Sequence, residues 1–448
     1  MTRVWRLRSP SPDILSFADR TGVTPAEAQI LLNRGISDEE ALHSFLLPRL
    51  SSLLDPMILK DMKEAVSVVV KALEQRDPIT IYGDFDADGL TATAVLMNFL
   101  TGLNASVFCH IPNRLTEGYG LHAQAVDSIA RHRGGLLITV DCGISNGEEI
   151  ALARELGMQV VVTDHHQVPE GFTPPCPVVN PHRPDCPFPF KELSGVGLAF
   201  FLCVALRARL REGGWFRNRM EPDLRQHLDL VALGTIADMV PLLDQNRILV
   251  HSGLERMRDS SWPGMKALRE VAVPGSGATL SSDDLAFRLA PRLNASGRLG
   301  DAETGIRTLT TASHAEAREL ARKLNELNGR RQALERAILN QIEEAMVGRF
   351  DLQNQRTLVL AGKGWHKGVL GIVASRLAER YHRPAIVLDV EDGVAAGSGR
   401  SIPGFDLYGA LARLKPLLRR FGGHRHAAGL SLQSARIEAF AEELEAIA

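Results

Sequence analysis

The chain has 448 residues, 45% apolar and 23% charged, with 51 Lys and Arg against 53 Asp and Glu and a formal net charge of -2. That balance describes a globular protein with room for two or three domains around sizeable cores, and it excludes a disordered chain. Near neutrality also means that a nucleic-acid ligand would have to be held by a local basic surface rather than by overall charge.

Five cysteines, Cys109, Cys142, Cys176, Cys186 and Cys203, form no C-x-x-C pair. An odd number without that spacing argues against a disulfide framework and points to a reducing cytoplasm. No secretory leader is visible and no apolar run reaches the roughly 18 residues of a membrane span, so a soluble protein that makes no membrane contact is expected.

Residues 1–54 read as polar helices and turns, a cap on the main domain, with breaks at Pro48 and Pro56. From Asp61 to Glu74 the apolar residues Ala65, Val68, Val69 and Leu73 recur at helical spacing. Next comes Pro78 to Leu90, P-I-T-I-Y-G-D-F-D-A-D-G-L. Ile79 to Tyr82 suits a buried parallel strand, which empties into Asp84, Asp86 and Asp88 before a helix over Leu90 to Leu100. At spacing two along an extended segment the three carboxylates face one point, and they repel one another unless a cation lies between them. A divalent metal is the natural occupant. Gly83 and Gly89 are expected to let the backbone bend at either end. Taken alone, the stretch is also compatible with an acidic surface loop or an isolated calcium loop.

A β-α-β rhythm then sets in. A strand over Ser106 to His110 leads into the Gly-rich loop I-P-N-R-L-T-E-G-Y-G-L, which carries Arg114, and a helix over Ala123 to His132. The strand Leu136 to Val140 delivers Asp141, and after a helix over Gly147 to Leu156 the strand Val160 to Thr163 ends in Asp164-His165-His166. Parallel sheets bind ligands outside the carboxyl ends of their strands, so these groups can converge. Singly, such an Asp is often a helix cap and such a His pair a surface feature; together they are hard to explain that way.

The segment T-P-P-C-P-V-V-N-P-H-R-P-D-C-P-F-P-F reads as an irregular crossing held by proline rigidity rather than by ladder hydrogen bonds. Cys176, His182 and Cys186 match no structural-zinc spacing and lack a fourth ligand. Ser194-Gly-Val-Gly197 opens an apolar helix through Leu206, and its G-x-G suits phosphate contact and close helix packing equally well. Leu228 to Met239 reads as a buried helix whose only acid near its end is Asp238. Burial there would raise the carboxyl pKa unless a cation kept it ionised, which makes Asp238 a candidate metal ligand.

Ala286 to Gly300 places Arg288, Arg292 and Arg298 around Asn294 and Ser296, either as phosphate-binding forks or as an ordinary solvated loop. Ser313 to Val347 then reads as one amphipathic helix of roughly 50 Å, enough to connect two lobes. Past it, strands over Thr357 to Ala361 and Ala385 to Val390 flank a helix, and two loops come next, G-S-G-R-S-I-P-G-F-D and G-G-H-R-H-A-A-G.

The ordered set G-D-F-D-A-D-G, V-D-C-G, T-D-H-H and G-T-I-A-D-M resembles the DHH phosphoesterase superfamily. Its spacers and the N-P-H-R-P-D-C-P crossing are most similar to the single-strand-specific exonucleases of that superfamily, from about residue 50 to the end. The resemblance implies an α/β protein: a parallel-sheet DHH domain (55–312) behind the 1–54 cap, a connecting helix (313–347) and a smaller α/β DHH-associated domain (348–448). It implies two divalent cations, Mn²⁺ preferred and Mg²⁺ possible, one held by Asp84, Asp86 and Asp141 and the other by Asp88, Asp141, His165 and Asp238. Asp164 would orient a ligand imidazole, and His166 would face the scissile phosphate. Arg114, Arg298, Ser398, Arg400 and His424 would bind substrate phosphates, the last three on the two late loops, in a cleft between the lobes.

The implied activity is two-metal 5′-to-3′ hydrolysis of single-stranded DNA to mononucleotides in repair and recombination, by a cytoplasmic monomer partnered by a single-strand-binding protein and a helicase. The alternatives are a related phosphodiesterase acting on short oligonucleotides or cyclic dinucleotides, and a non-catalytic scaffold that keeps the fold. Exonucleases of this kind usually continue into an OB-fold, and the chain stops at Ala448. Its absence would weaken strand binding more than chemistry.

Overall fold

The computed structural model describes residues 7–172, 175–275, 280–346 and 354–448. Two compact units emerge: Met1–Ile111 with Tyr119–Ala290 and Thr308–Ala317, and Pro112–Gly118 with Pro291–Arg307 and Arg318–Ala448.

The first unit begins with α1 (Ile14–Thr21), α2 (Pro25–Leu32) and α3 (Glu39–Leu46), which close a small core of Phe17, Ala18, Ala28, Leu31, Ile36 and Leu42. α2 starts at a reciprocal cap in which Thr24 accepts from the Glu27 N–H and Glu27 accepts from the Thr24 N–H. Then come α4 (Met62–Gln75), β1 (Ile79–Tyr82), α5 (Ala87–Gly102), β2 (Val107–His110), α6 (Ala123–His132), β3 (Leu136–Val140), α7 (Gly147–Glu155), β4 (Gln159–Thr163) and β5 (Val178–Val179). The five strands pair in parallel in the order β2-β1-β3-β4-β5. β1 and β3 are buried throughout, as continuous apolar runs in a covered parallel sheet should be. α8 (Gly195–Glu212) packs with α5 against this sheet, and the almost wholly apolar α9 (Leu228–Ala237) packs on α5 and α8. α10 (Asp244–Arg256) and α11 (Pro263–Ala272) follow.

The proline-rich crossing is not wholly irregular. Val178 and Val179 sit between prolines and join the sheet as an edge strand, with Val162 N–H donating to Pro177 O at 3.0 Å and Asp164 N–H to Val179 O at 3.1 Å. An edge strand is bonded on one side only, so it tolerates neighbouring prolines. Thr173 and Pro174, at the start of that crossing, lie outside the described residues. The arginine segment is likewise helical rather than a loop: α12 (Ser282–Asp284) runs through a π-helical turn over Leu285–Leu289 into α13 (Ala290–Arg298).

After α14 (Ala302–Thr310), the long amphipathic helix is α15 (His314–Met346); Val347, its expected last residue, lies outside the described residues. In the second unit Ile338, Ile342 and Met346 of α15 share a core with β6 (Leu358–Gly362), α16 (Lys367–Tyr381) and β7 (Ala385–Glu391). β8 (Val394–Arg400), α17 (Leu407–Arg413), β9 (Leu418–His424), β10 (Ala427–Gln433) and α18 (Ile437–Ile447) complete it, with sheet order β6-β7-β8-β10-β9. Of the two expected late loops, the first starts as strand and becomes loop only after Arg400, and the second is mostly strand. Ser398 and Arg400 lie on β8, and G-G-H-R-H-A-A-G is the β9–β10 hairpin. Gly397 makes the β7–β8 contact possible, since a Cβ there would come within 1.9 Å of Val387 O. Among the described residues no helix is long and apolar enough to cross a membrane.

Candidate metal centre

β1, β3 and β4 of the central sheet hand polar groups to the same edge. After β1 the chain does not stay extended: Asp86 caps α5, its Oδ1 accepting from the N–H groups of Asp88 and Gly89 at 3.0 Å each. Asp88 therefore lies in the first helical turn, where a carboxylate is favoured by the N-terminal dipole. The turn splits the three carboxylates into two directions. Asp84 and Asp86 group with Asp141, whereas Asp88 groups with His165 and Asp238, the ligand atoms of each set lying within 4.8 Å of one another. Gly83 and Gly89 have ordinary backbone angles and serve by lacking a side chain: a Cβ on Gly89 would meet Asp84 Cβ at 2.6 Å, and one on Gly83 would meet Thr93 Oγ1 at 2.0 Å.

Asp141 follows β3 with φ at 60°, in the left-handed region that Asp adopts more readily than most residues. His165 Nε2 lies 3.0 Å from Asp141 Oδ1, 3.6 Å from Asp238 Oδ2 and 3.9 Å from Asp88 Oδ2. Neither His165 Nε2 nor Asp141 Oδ1 makes a hydrogen bond among the described residues, although both atoms are buried. Two buried ligand atoms 3.0 Å apart, neither with a hydrogen-bond partner, are costly to leave unsatisfied and are the kind of pair a bound cation satisfies, so this set fits a metal.

The same crowding shows in the protonation equilibria of the protein alone. Burial first, then the charge of Asp86, pushes Asp88 up to about 7. Burial, with Asp88 and Asp86, pushes Asp238 up to about 9, and Asp141 is driven well above the carboxylate range by burial and then Asp88. Burial, with the nearby His166, lowers His165 to about 4, keeping it the neutral imidazole that a metal requires.

Asp164 is wholly buried, yet its carboxyl sits below the usual range, because hydrogen bonds from His166 and from the Ile144 N–H outweigh burial. The imidazole it orients is that of His166, through Nδ1 at 2.8 Å, rather than that of His165, which is hydrogen-bonded to the Leu193 backbone. Burial works against charge on His166, but the Asp164 bond prevails and raises it to about 9. His166 also falls within ligand reach of Asp141 and His165.

Several supporting residues lacked a usable sequence signal. The weak G-x-G motif turns out to cradle Asp88: Gly195 N–H donates to its Oδ2 at 2.7 Å and Val196 N–H to its Oδ1 at 2.9 Å. Asn180, inside N-P-H, donates from Nδ2 to His166 O at 2.9 Å and so fixes the His-His turn. Tyr119 donates to Asp141 O at 3.2 Å and lies 3.1 Å from His166 Nδ1.

The expected phosphate-binding residues belong to the second unit. Arg298 and Arg400 line a cavity of about 320 Å³ together with Gly371, Ile372, Ser375, Arg376 and Glu379. Arg400 Nη1 donates to Ser398 Oγ at 2.9 Å and to Gly399 O at 2.8 Å. Burial first, and then the charge of nearby Arg114, lowers the Arg400 pKa. His424 stands apart from this cavity. It pairs with Ala427, which pairs with Arg400, so His424 is two strands away, roughly 10 Å.

Comparison with known proteins bears on both units. The DHH family, N-terminal domain, matches residues 78–235, and the DHHA1 domain matches residues 354–448. The single-stranded-DNA-specific exonuclease RecJ of Bacillus subtilis is 40% identical over 447 residues, covering 99% of this chain and 55% of that protein. RecJ of Escherichia coli is 41% identical over 437 residues, covering 94% of this chain and 75% of that protein. The structure of RecJ in complex with Mn²⁺ from Thermus thermophilus superposes with a TM-score of 0.83 at 37% identity, over 99% of this chain and 62% of that one. The chain thus spans between about half and three quarters of the length of these relatives, and it belongs to the RecJ family.

Proposed function

We propose that this chain hydrolyses single-stranded DNA from its 5′ end, releasing 5′-mononucleotides with the help of two divalent cations, Mn²⁺ preferred and Mg²⁺ able to substitute. The observation that carries the proposal is the pair of adjoining donor groups, Asp84/Asp86/Asp141 and Asp88/His165/Asp238, which meet where Asp141 faces His165. Asp84, Asp86 and Asp141 would hold one cation and Asp88, Asp141, His165 and Asp238 the other. Bound together, two such cations lower the pKa of water and neutralise charge on a phosphoryl group in transition.

The chain's own residues supply the rest. Gly195 and Val196 fix the Asp88 carboxylate, and the Leu193 backbone fixes His165. His166, held in its cationic form by Asp164, has Nε2 left to donate to a phosphate oxygen. Arg114, Arg298, Ser398 and Arg400 would receive the terminal 5′ phosphate, and His424 a neighbouring one. The setting of repair and recombination in the cytoplasm, and the partnership with a single-strand-binding protein and a helicase, belong to the same proposal. So does the division into a cap (1–54), a DHH domain (55–312), a connecting helix (313–347) and a substrate domain (348–448), whose boundaries limited proteolysis would map.

The test compares Mn²⁺-dependent rates on an unstructured single strand, a blunt duplex of the same sequence and a cyclic dinucleotide. Turnover of the single strand at least about tenfold above the other two is expected, since a base-paired end must be unstacked before one strand can enter. Equal turnover of the duplex, or activity confined to the dinucleotide, would overturn the proposal.

A further inference from the structure

The cavity lined by Arg298 and Arg400 contains a third guanidinium, Arg376, that no sequence signal singled out. We propose that Arg376 is a third phosphate-binding fork of this cavity and that Glu335, buried within α15, is the positioning residue that aims it. The proposal rests on the reading of the cavity as the site of a terminal phosphate.

Glu335 is 2% exposed, an expensive place for a carboxylate that lacks partners. It has two. Its Oε2 accepts from Arg331 Nη1 at 3.1 Å, one helical turn back on α15, and its Oε1 is ion-paired with Arg376 Nε across on α16. The pairing uses the inner nitrogen of the Arg376 guanidinium. The two outer nitrogens, with four N–H groups, have no protein partner among the described residues, and the side chain is 61% exposed. A guanidinium anchored through Nε has lost much of its rotamer freedom before any ligand arrives and presents its fork in a fixed plane. That differs from a surface ion pair, in which the outer fork is usually the part engaged.

The surroundings are built for an anion. Arg298, Arg376 and Arg400 line the cavity against a single carboxylate, Glu379, and Arg114 lies close enough to disturb Arg400. Gly371 keeps the space open from inside α16: a Cβ there would come within 3.0 Å of Arg400 Nη2 and 3.3 Å of Ser398 Oγ. Glycine is a poor choice for a helix interior unless the space is needed. A terminal phosphate carries a charge of about -1.5 to -2 at neutral pH, an internal phosphodiester only one. The added fork of Arg376 should therefore select for the terminal group rather than for the chain in general.

The test uses the Mn²⁺-loaded protein and a 3′-fluorescein oligothymidylate with phosphorothioate linkages, prepared with a 5′ phosphate or a 5′ hydroxyl, and reads equilibrium anisotropy. Arg376→Ala is expected to reduce the preference for the 5′-phosphorylated strand by about tenfold or more and to change binding of the hydroxyl strand by less than about twofold. Arg376→Lys, which keeps the charge but not the fork, should recover only part of that preference. Glu335→Gln should cut the same preference by a smaller factor. If Arg400→Ala abolishes the preference while Arg376→Ala leaves it intact, Arg376 is only a tie between α15 and α16 and the inference fails alone. If Arg400→Ala also leaves it intact, or wild type shows no preference, the terminal-phosphate reading fails and this inference with it. A Glu335→Gln protein that loses thermal stability but keeps the preference would remove the positioning role.

Discussion

Asp141 belongs to one donor group and faces His165 of the other at 3.0 Å, and its backbone dictates how it should be probed. At φ 60° an alanine would add strain to the loss of the carboxylate, whereas Asn adopts this region nearly as well as Asp. Asp141→Asn should therefore fold, by far-UV circular dichroism, and retain less than about one per cent of wild-type turnover with Mn²⁺. Higher activity would mean that no shared carboxylate is needed. The carboxyl groups around it make a second prediction. Asp88, raised to about 7, and Asp238, raised to about 9, hold protons in the metal-free protein that a cation must displace. Mn²⁺ binding at pH 7 should release protons, seen by calorimetry in two buffers of different ionisation enthalpy, and affinity should rise with pH. Groups whose folded pKa is raised stabilise the fold most below their unfolded values and lose that contribution as pH climbs through the folded ones. His166, raised to about 9, acts in the same direction. The metal-free protein should thus lose thermal stability between pH 6 and 9, and Mn²⁺ should restore more of it at pH 9 than at pH 6.

At the level of elements, the centre depends on the start of α8 pressing against the end of β3. A Cβ on Gly195 would lie 2.7 Å from Asp141 Cγ, and the same residue's N–H holds Asp88. Gly195→Ala should lower kcat by about 100-fold or more, while Gly147→Ala at the open start of α7, with nothing near its Cβ, should stay within about twofold of wild type. Comparable losses in both would show that the effect is general helix perturbation. These elements also show what a sequence can reveal. β1, β3 and β4 were legible because each is a short apolar run that ends in a carboxylate, a repetition that chance seldom produces. The start of α5 was not, because Ala87, Asp88 and Gly89 precede the apolar spacing and look like loop although Asp86 caps them. β8, β9 and β10 were hidden for a related reason: Gly397, Gly399, Gly422, Gly423 and Gly429 leave no side chains to alternate, so the strands had the composition of turns. Arg376 was invisible because its role follows from a buried acid 41 positions earlier in the chain, Glu335.

For the whole molecule, a net charge of -2 looks unsuited to DNA, yet Arg298, Arg376 and Arg400 concentrate positive charge in one cavity of the second unit. Local charge of this kind predicts that binding of a single strand weakens steeply with added salt, through release of about as many counterions as there are phosphate contacts. A flat dependence on KCl would point to binding without phosphate contact. The central claim is directional hydrolysis, and the most direct measurement is a time course on one long 5′-phosphorylated single strand with Mn²⁺, carrying distinguishable labels at its two ends. Hydrolysis from the 5′ end predicts that the 5′ label appears at once as a mononucleotide while the 3′ label stays on a shrinking strand. Release of the 3′ label first, internal fragments, or an intact strand after complete metal loading would contradict it.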